Sequence, residues 1–208
     1  MSISVSVRMD VKALQRDLDN FARKQVPFAA SQALNAVARK VQAAQRENMQ
    51  KVLDRPTPFT LNAVSVKPST KATLTATVFV KDIAAAYLLP YEQGGKNKLN
   101  SRALIKPVAQ KVNQYGNLAR TAVKRLAAKK GVFVGKVQTK SGLVDGVWQR
   151  TKPVRGKAAG LKLLVKFQDA HDAKPRLGYG DVARKTVAAS FRRELDAALT
   201  KAMKSARR

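Results

Sequence analysis

Residues 26–53 read VPFAASQALNAVARKVQAAQRENMQKVL, and this stretch decides the fold. Ala30, Leu34, Val37, Val41 and Ala44 recur at intervals of 4, 3, 4 and 3, one face of a helix with about 3.6 residues per turn. Pro27 stands in the first turn, where proline is tolerated. The prolines of Asp54-Arg55-Pro56-Thr57-Pro58 cannot continue the helix and stop it after Leu53. Ala29, Ala30, Ala33, Ala36 and Ala38 let another element approach closely. The protein's own sheet is the favoured partner. A neighbouring subunit is the alternative, with Ala30, Leu34, Val37 and Val41 as its candidate contacts.

Outward from this helix, Ile3-Ser4-Val5-Ser6-Val7 alternates like a half-buried strand. Asp10 is a candidate N-cap for a short helix carrying Val11, Leu14, Leu18 and Phe21. Pro27 is expected to interrupt the chain between that helix and the long one. On the other side, residues 63–66 and 73–80 read as two strands in antiparallel connection. Residues 81–98 read as loop or short irregular helix, with Gly94-Gly95 for a turn or a close backbone approach. No G-x-x-x-x-G-K-[ST] or G-x-G-x-x-G occurs there. Residues 103–112 suggest a helix broken by Pro107, and Leu118, Val123 and Leu126 a helix ending at Lys129-Lys130-Gly131. Short strands follow at 131–135 and 144–148, and another at 161–167. A loop at 168–180 carries the sole histidine, His171. The last helix starts at an N-cap, Asp181, and runs along Val187, Phe191, Leu195, Ala198 and Ala202. Phe191 and Leu195 join the candidate subunit contacts, and the basic tail 201–208 is expected to fray. The order predicts one α+β domain over 1–208: a small, mostly antiparallel sheet against the long helix and the C-terminal helix, with 96–166 as a basic elaboration.

Charge is the most informative feature. The 208 residues hold 41 Lys or Arg and 13 Asp or Glu, a formal net charge of +28. A small domain ordinarily carries a magnitude of about 2–8. Between residues 96 and 166, eighteen basic side chains face a single acid, Asp145, so this third of the chain holds +17 of the excess. A solvated face normally mixes both signs; phosphate is the commonest biological counter-charge. The expected partner is therefore nucleic acid, bound by its backbone and without sequence preference. No helix-turn-helix, zinc finger or aromatic RNA-binding signature is present. The candidate backbone contacts are Lys96, Lys98, Arg102, Lys106 and Lys111 beside the Gly-Gly loop, Lys124, Arg125, Lys129 and Lys130 near a helix end, and Arg150, Lys152, Arg155 and Lys157 in the densest basic loop. Trp148 beside that loop reads as a core residue.

Other chemistries find little support. The absence of cysteine excludes disulfides, Cys-ligated metals and a thiol nucleophile. The scattered acids do not build a two-metal site, and no cofactor is expected. His171 between Asp169 and Asp172 is a weak candidate for a general base, and a solvated loop histidine is the favoured reading. The composition does not suggest an enzyme. No apolar run approaches the roughly 18 residues that span a bilayer, so no membrane role is expected. The N-terminus is not a signal peptide, which implies synthesis and folding in a cytoplasm.

The helix sequence Val26-Pro27-Phe28-Ala29-Ala30-Ser31-Gln32-Ala33-Leu34-Asn35-Ala36-Val37-Ala38 resembles the V-P-x-A-A-x-x-A-[LI]-N-x-[VT]-A stretch of minor tail protein Z and related tail-completion proteins of tailed bacteriophages. Arg55-Pro56-Thr57-Pro58-Phe59-Thr60-Leu61-Asn62-Ala63, then a strand pair, then Tyr87-Leu88 with Gly94-Gly95, resembles tail and neck proteins grouped with them. The likeness covers residues 1–95 and, loosely, 180–205. It implies a structural virion protein that assembles as a ring, usually of six copies, at the head–tail junction. Its partners would be other tail, neck and head-completion proteins and the duplex DNA of the channel, with the host cytoplasm as its location before assembly. A free nucleoid-type nucleic-acid-binding protein, and a tail terminator or head–tail adaptor, are the alternatives.

Overall fold

The computed structural model of the chain describes residues 12, 15, 19, 21–97, 104–153, 158–168 and 171–206. The expected strand at 3–7, the Asp10 cap and most of the first helix lie outside the described residues, as do the last two residues of the tail. The protein is α+β. Its elements are α1 (Val26–Val52), α2 (Pro58–Leu61), β1 (Val64–Lys67), β2 (Thr77–Val80), α3 (Asp82–Gln93), β3 (Gly95–Asn97), β4 (Leu104–Pro107), α4 (Ala122–Ala127), β5 (Val132–Thr139), β6 (Gly142–Thr151), β7 (Gly160–Gln168), β8 (His171–Ala173) and α5 (Tyr179–Ala206). The strands do not form one sheet: β1 pairs β2, β3 pairs β8, and β4-β7-β6-β5 make a four-stranded sheet, all antiparallel. Residues 1–47, 64–80 and 179–208 group as one compact unit, and 48–63 with 81–178 as a second.

In the first unit, Val37 and Val41 of the expected α1 stripe are buried, but Ala30, Leu34 and Ala44 are only half-buried: the core face is turned toward Ala29, Ala33 and Ala38, with Val64 of β1. Pro27 does not interrupt the chain. Residues Phe21–Gln25 wind as a wider π-type turn that leads directly into α1. Such a turn accommodates a proline ring that would clash with the carbonyl four residues back. Asn35 grips the β1–β2 connection at both poles of one residue: its Nδ2 donates to Ser69 O at 3.0 Å, and Ser69 N donates to its Oδ1 at 2.7 Å. Ser31 Oγ donates to the same carbonyl at 3.0 Å. Gln42 Nε2 donates to Val64 O at 2.8 Å, and Gln45 Nε2 to Tyr179 O at 2.7 Å. Lys40 donates to Glu194 of α5. That hydrogen bond, opposed by partial burial and aided by the charges of Lys40 and Arg193, holds the Glu194 carboxyl below its ordinary range.

Strand β2 is half as long as its sequence alternation suggests. Thr70 and Thr73 bond each other's backbone N–H through their hydroxyls at 3.1 and 3.2 Å, and Leu74, at a φ of 44°, donates to Thr70 O at 3.0 Å. This local turn outcompetes the strand over residues 73–76. α5 starts at Tyr179, so Asp181 lies inside the first turn, paired with Arg184 at 2.5 Å, and is not the N-cap. The helix continues to Ala206 through most of the tail expected to fray.

In the second unit, residues 82–93, expected as loop or short irregular helix, form a 12-residue helix, α3, with Pro90 inside it. It ends on Gly94, whose φ of 81° and N–H bond to Pro90 O close the last turn. Thr60 Oγ1 bridges Thr57 Oγ1 at 3.1 Å and Tyr87 OH at 3.0 Å, tying the Pro-Thr-Pro-Phe-Thr segment to α3. Asn48 Nδ2 at the end of α1 donates to Leu177 O at 2.6 Å. Residues 104–107, expected as helix, are the edge strand β4. Lys106 precedes a proline, which disfavours helical backbone there, and an edge strand can spare the missing donor of Pro107. The segment expected as one loop at 168–180 contributes β8, so His171 lies in a short strand opposite Asn97.

The four-stranded sheet buries Val147, Leu164 and Val165 under Leu126 of α4, with Leu118, Val123, Val132 and Phe167 packed around them. On the other face, Gly135 of β5 lies opposite Gly146 of β6. Trp148 Nε1 donates to Gly135 O at 3.1 Å, and Trp148 is buried as expected. A Cβ at Gly146 would stand 2.2 Å from Val165 O and 2.9 Å from Leu163 Cδ1, whereas one at Gly135 would meet only the Phe133 ring at 3.8 Å. Gly146→Ala is therefore expected to cost about 1–3 kcal/mol of stability. Gly135→Ala should stay within about 0.5 kcal/mol of the parent; urea unfolding of the two variants checks the contrast.

Candidate nucleic-acid interface

Strands, a short helix and the turns between them position the basic side chains of residues 96–166. Lys96 is on β3, exposed, in register with Asp172 of β8. Lys106 is on β4, and Lys111 follows in the loop after it; both are exposed. Lys124 and Arg125 lie on the outer side of α4, whose Ala122 and Leu126 face the core. Lys129 and Lys130 are in the exposed turn that follows. Arg150 closes β6 with its guanidinium 5.5 Å from the centre of the Phe133 ring, a cation–π contact at the mouth of an open cleft of about 380 Å³. Lys152 is exposed just beyond the strand. Lys98, Arg102, Arg155 and Lys157 lie outside the described residues.

The cations do not gather on one face. Strand alternation sets Lys106, Lys166 and Arg150 on the face with Trp148, while α4 carries Lys124 and Arg125 over the opposite face. Arg120, Lys136, Lys140 and Lys162 are also exposed, and Lys166 is half-buried. Among the described residues, Lys40–Glu194, Arg55–Asp54, Arg184–Asp181 and Arg193–Glu194 are ion pairs, and none of these includes a described basic residue of 96–166. Asp145, the one acid there, stands across from Lys136. A surface of one sign without internal partners raises the potential around it and attracts polyanions.

Several positions gain a different meaning. Val37 and Val41 are 5% and 3% exposed and belong to the protomer's own core, so they offer no surface to a neighbouring subunit. Ala30, Leu34 and Leu195 are half-buried, and Phe191 is 38% exposed on α5. Residues 82–95 have no cation, and on α3 the outward positions Ile83 (75% exposed), Ala86 and Leu89 (52%) form an apolar stripe. Their spacing of three was legible in the sequence but has no meaning until the segment is known to be helical. Lys166 was also missed, because only strand register brings it beside Lys106.

Of the residues weighed for an active site, Asp169 is outside the described residues and Asp172 is exposed. No group of three or more His, Cys, Asp or Glu suited to a metal ion occurs among the described residues. No helix among them is long and apolar enough to cross a membrane. No protein-family model, curated protein or solved structure matches the chain.

Proposed function

We propose that this chain is a structural protein that holds nucleic-acid backbone without reading its sequence, and that it does so as a ring of identical subunits. The observation that carries this reading is the set of exposed basic side chains over 96–166, none ion-paired within the described chain. Each phosphate that such a side chain neutralises releases condensed counterions, so binding is driven largely by salt dilution and is indifferent to bases. The resemblance of residues 26–38 and 55–63 to minor tail protein Z and tail-completion proteins supports a setting in a tailed phage. There the ring would complete the tail or neck at the head–tail junction, and the polyanion would be channel DNA.

Self-association of a protein with a net charge of +28 needs a contact where repulsion is low. The stretch 82–95 meets that need: it has Asp82 and Glu92, no Lys or Arg, and the exposed stripe of Ile83, Ala86 and Leu89. The subunit contact of the proposed ring therefore uses the outer side of α3.

Two measurements test these statements. In fluorescence anisotropy with unrelated duplexes, affinity should agree within about threefold between sequences, and log K should fall with log salt at a slope of about −4 or steeper, as expected for five or more phosphates. A flat salt response contradicts backbone binding. In light scattering after gel filtration, the parent chain should be oligomeric and the Ile83→Glu/Leu89→Glu variant monomeric with an unchanged circular dichroism spectrum. An oligomer that survives both substitutions excludes α3 as the contact.

A further inference from the structure

Strand register places Lys106 of β4 directly opposite Lys166 of β7, and the row continues across the sheet through Gly146 and Gly135. Like charges directly opposite on neighbouring strands are destabilising. Here the surroundings sharpen the conflict. Lys166 is half-buried. Beyond it, Leu163 Cδ1 covers Gly146 and the Trp148 indole reaches Gly135, so one flank of the pair is apolar. The next row on the same face is Leu104 opposite Gln168, which carries no charge. Asp145, across from Lys136, belongs to the opposite face. Neither lysine makes an ion pair among the described residues. An apolar border strengthens the repulsion between the two ammonium groups, and by the same physics strengthens their attraction for an anion set between them.

We propose that Lys106 and Lys166 form a two-ammonium clamp for one phosphodiester of a nucleic-acid backbone, and that the mutual repulsion of the pair is relieved when the phosphate enters. This rests on the backbone-binding reading above and names where on the sheet a phosphate is held. The clamp makes stability and binding respond in opposite directions to one substitution, and more strongly than the same charge change at a solvated lysine of this +28 chain.

The test compares Lys106→Glu, Lys106→Gln and a control with the same charge change, Lys140→Glu in the exposed β5–β6 turn. The full-length protein is used, with and without a short duplex. Without DNA, Lys106→Glu should raise Tm by about 1–3 °C by setting opposite charges across the strands. Lys106→Gln should raise it less. With DNA, Lys106→Glu should weaken binding about tenfold and reduce the salt slope by about 1–2, while Lys140→Glu loses only a few-fold. A lower Tm for both Lys106 variants, or a loss of affinity no greater than that of Lys140→Glu, overturns the clamp and leaves the broader reading standing. A parent protein that fails to bind duplex at low salt overturns both.

Discussion

A row of side-chain amides on α1 holds much of the chain by its backbone. Asn35 takes both polar groups of Ser69, Gln42 takes the carbonyl of Val64, Gln45 that of Tyr179, and Asn48 that of Leu177. The bonds at Ser69 and Leu177 satisfy backbone groups outside the regular elements, where an unpaired buried carbonyl or N–H would be costly, and those at Val64 and Tyr179 fix the starts of β1 and α5. The alanines between these amides let the neighbouring segments come close enough to be bonded. The helix therefore acts through two sets of positions: apolar residues that bury area, and amides that fix which segment lies where. Asn35 gives a structural reason for the Ala-Leu-Asn sequence that marks the helix.

The second unit solves a different problem, which is to present many cations on a stable frame. Its sheet needs only a small core, Leu126 over Val147, Leu164 and Val165, because the hairpin of β5 and β6 and the long pairing of β6 with β7 satisfy their backbone locally. On the other face Trp148 is buried and bonds the backbone of β5 at Gly135. The basic side chains stand outside both layers, and their repulsion is not offset by carboxylates of the described chain. A protein can carry such an imbalance when a polyanion completes it, since the free energy of counterion release then favours the bound state.

Elements with an uninterrupted local period were legible in the sequence. α1 and α5 followed from spacings of three and four, and the β5–β6 hairpin from its turn residues, although both strands extend further than their apolar runs. The misreadings have local causes. Thr70 and Thr73 satisfy each other's backbone and end a clean alternation early. Pro107 suggested a broken helix, whereas its effect on Lys106 favours an edge strand. β3 and β8 are three residues each and exist only because they meet. The charge of the candidate site was plain from composition, but its geometry was not. The pairing of Lys106 with Lys166, and the exposure of Ile83 and Leu89, depend on register and packing that no single stretch encodes.

The central claim is that the surplus positive charge of 96–166 lies against nucleic-acid backbone. Photocrosslinking to a duplex with reactive groups attached along its phosphates, followed by mass spectrometry of the linked peptides, tests it most directly. The account predicts links concentrated in peptides from 96–166, with few in α5. Links confined to α5, or none at salt low enough for binding, would contradict it.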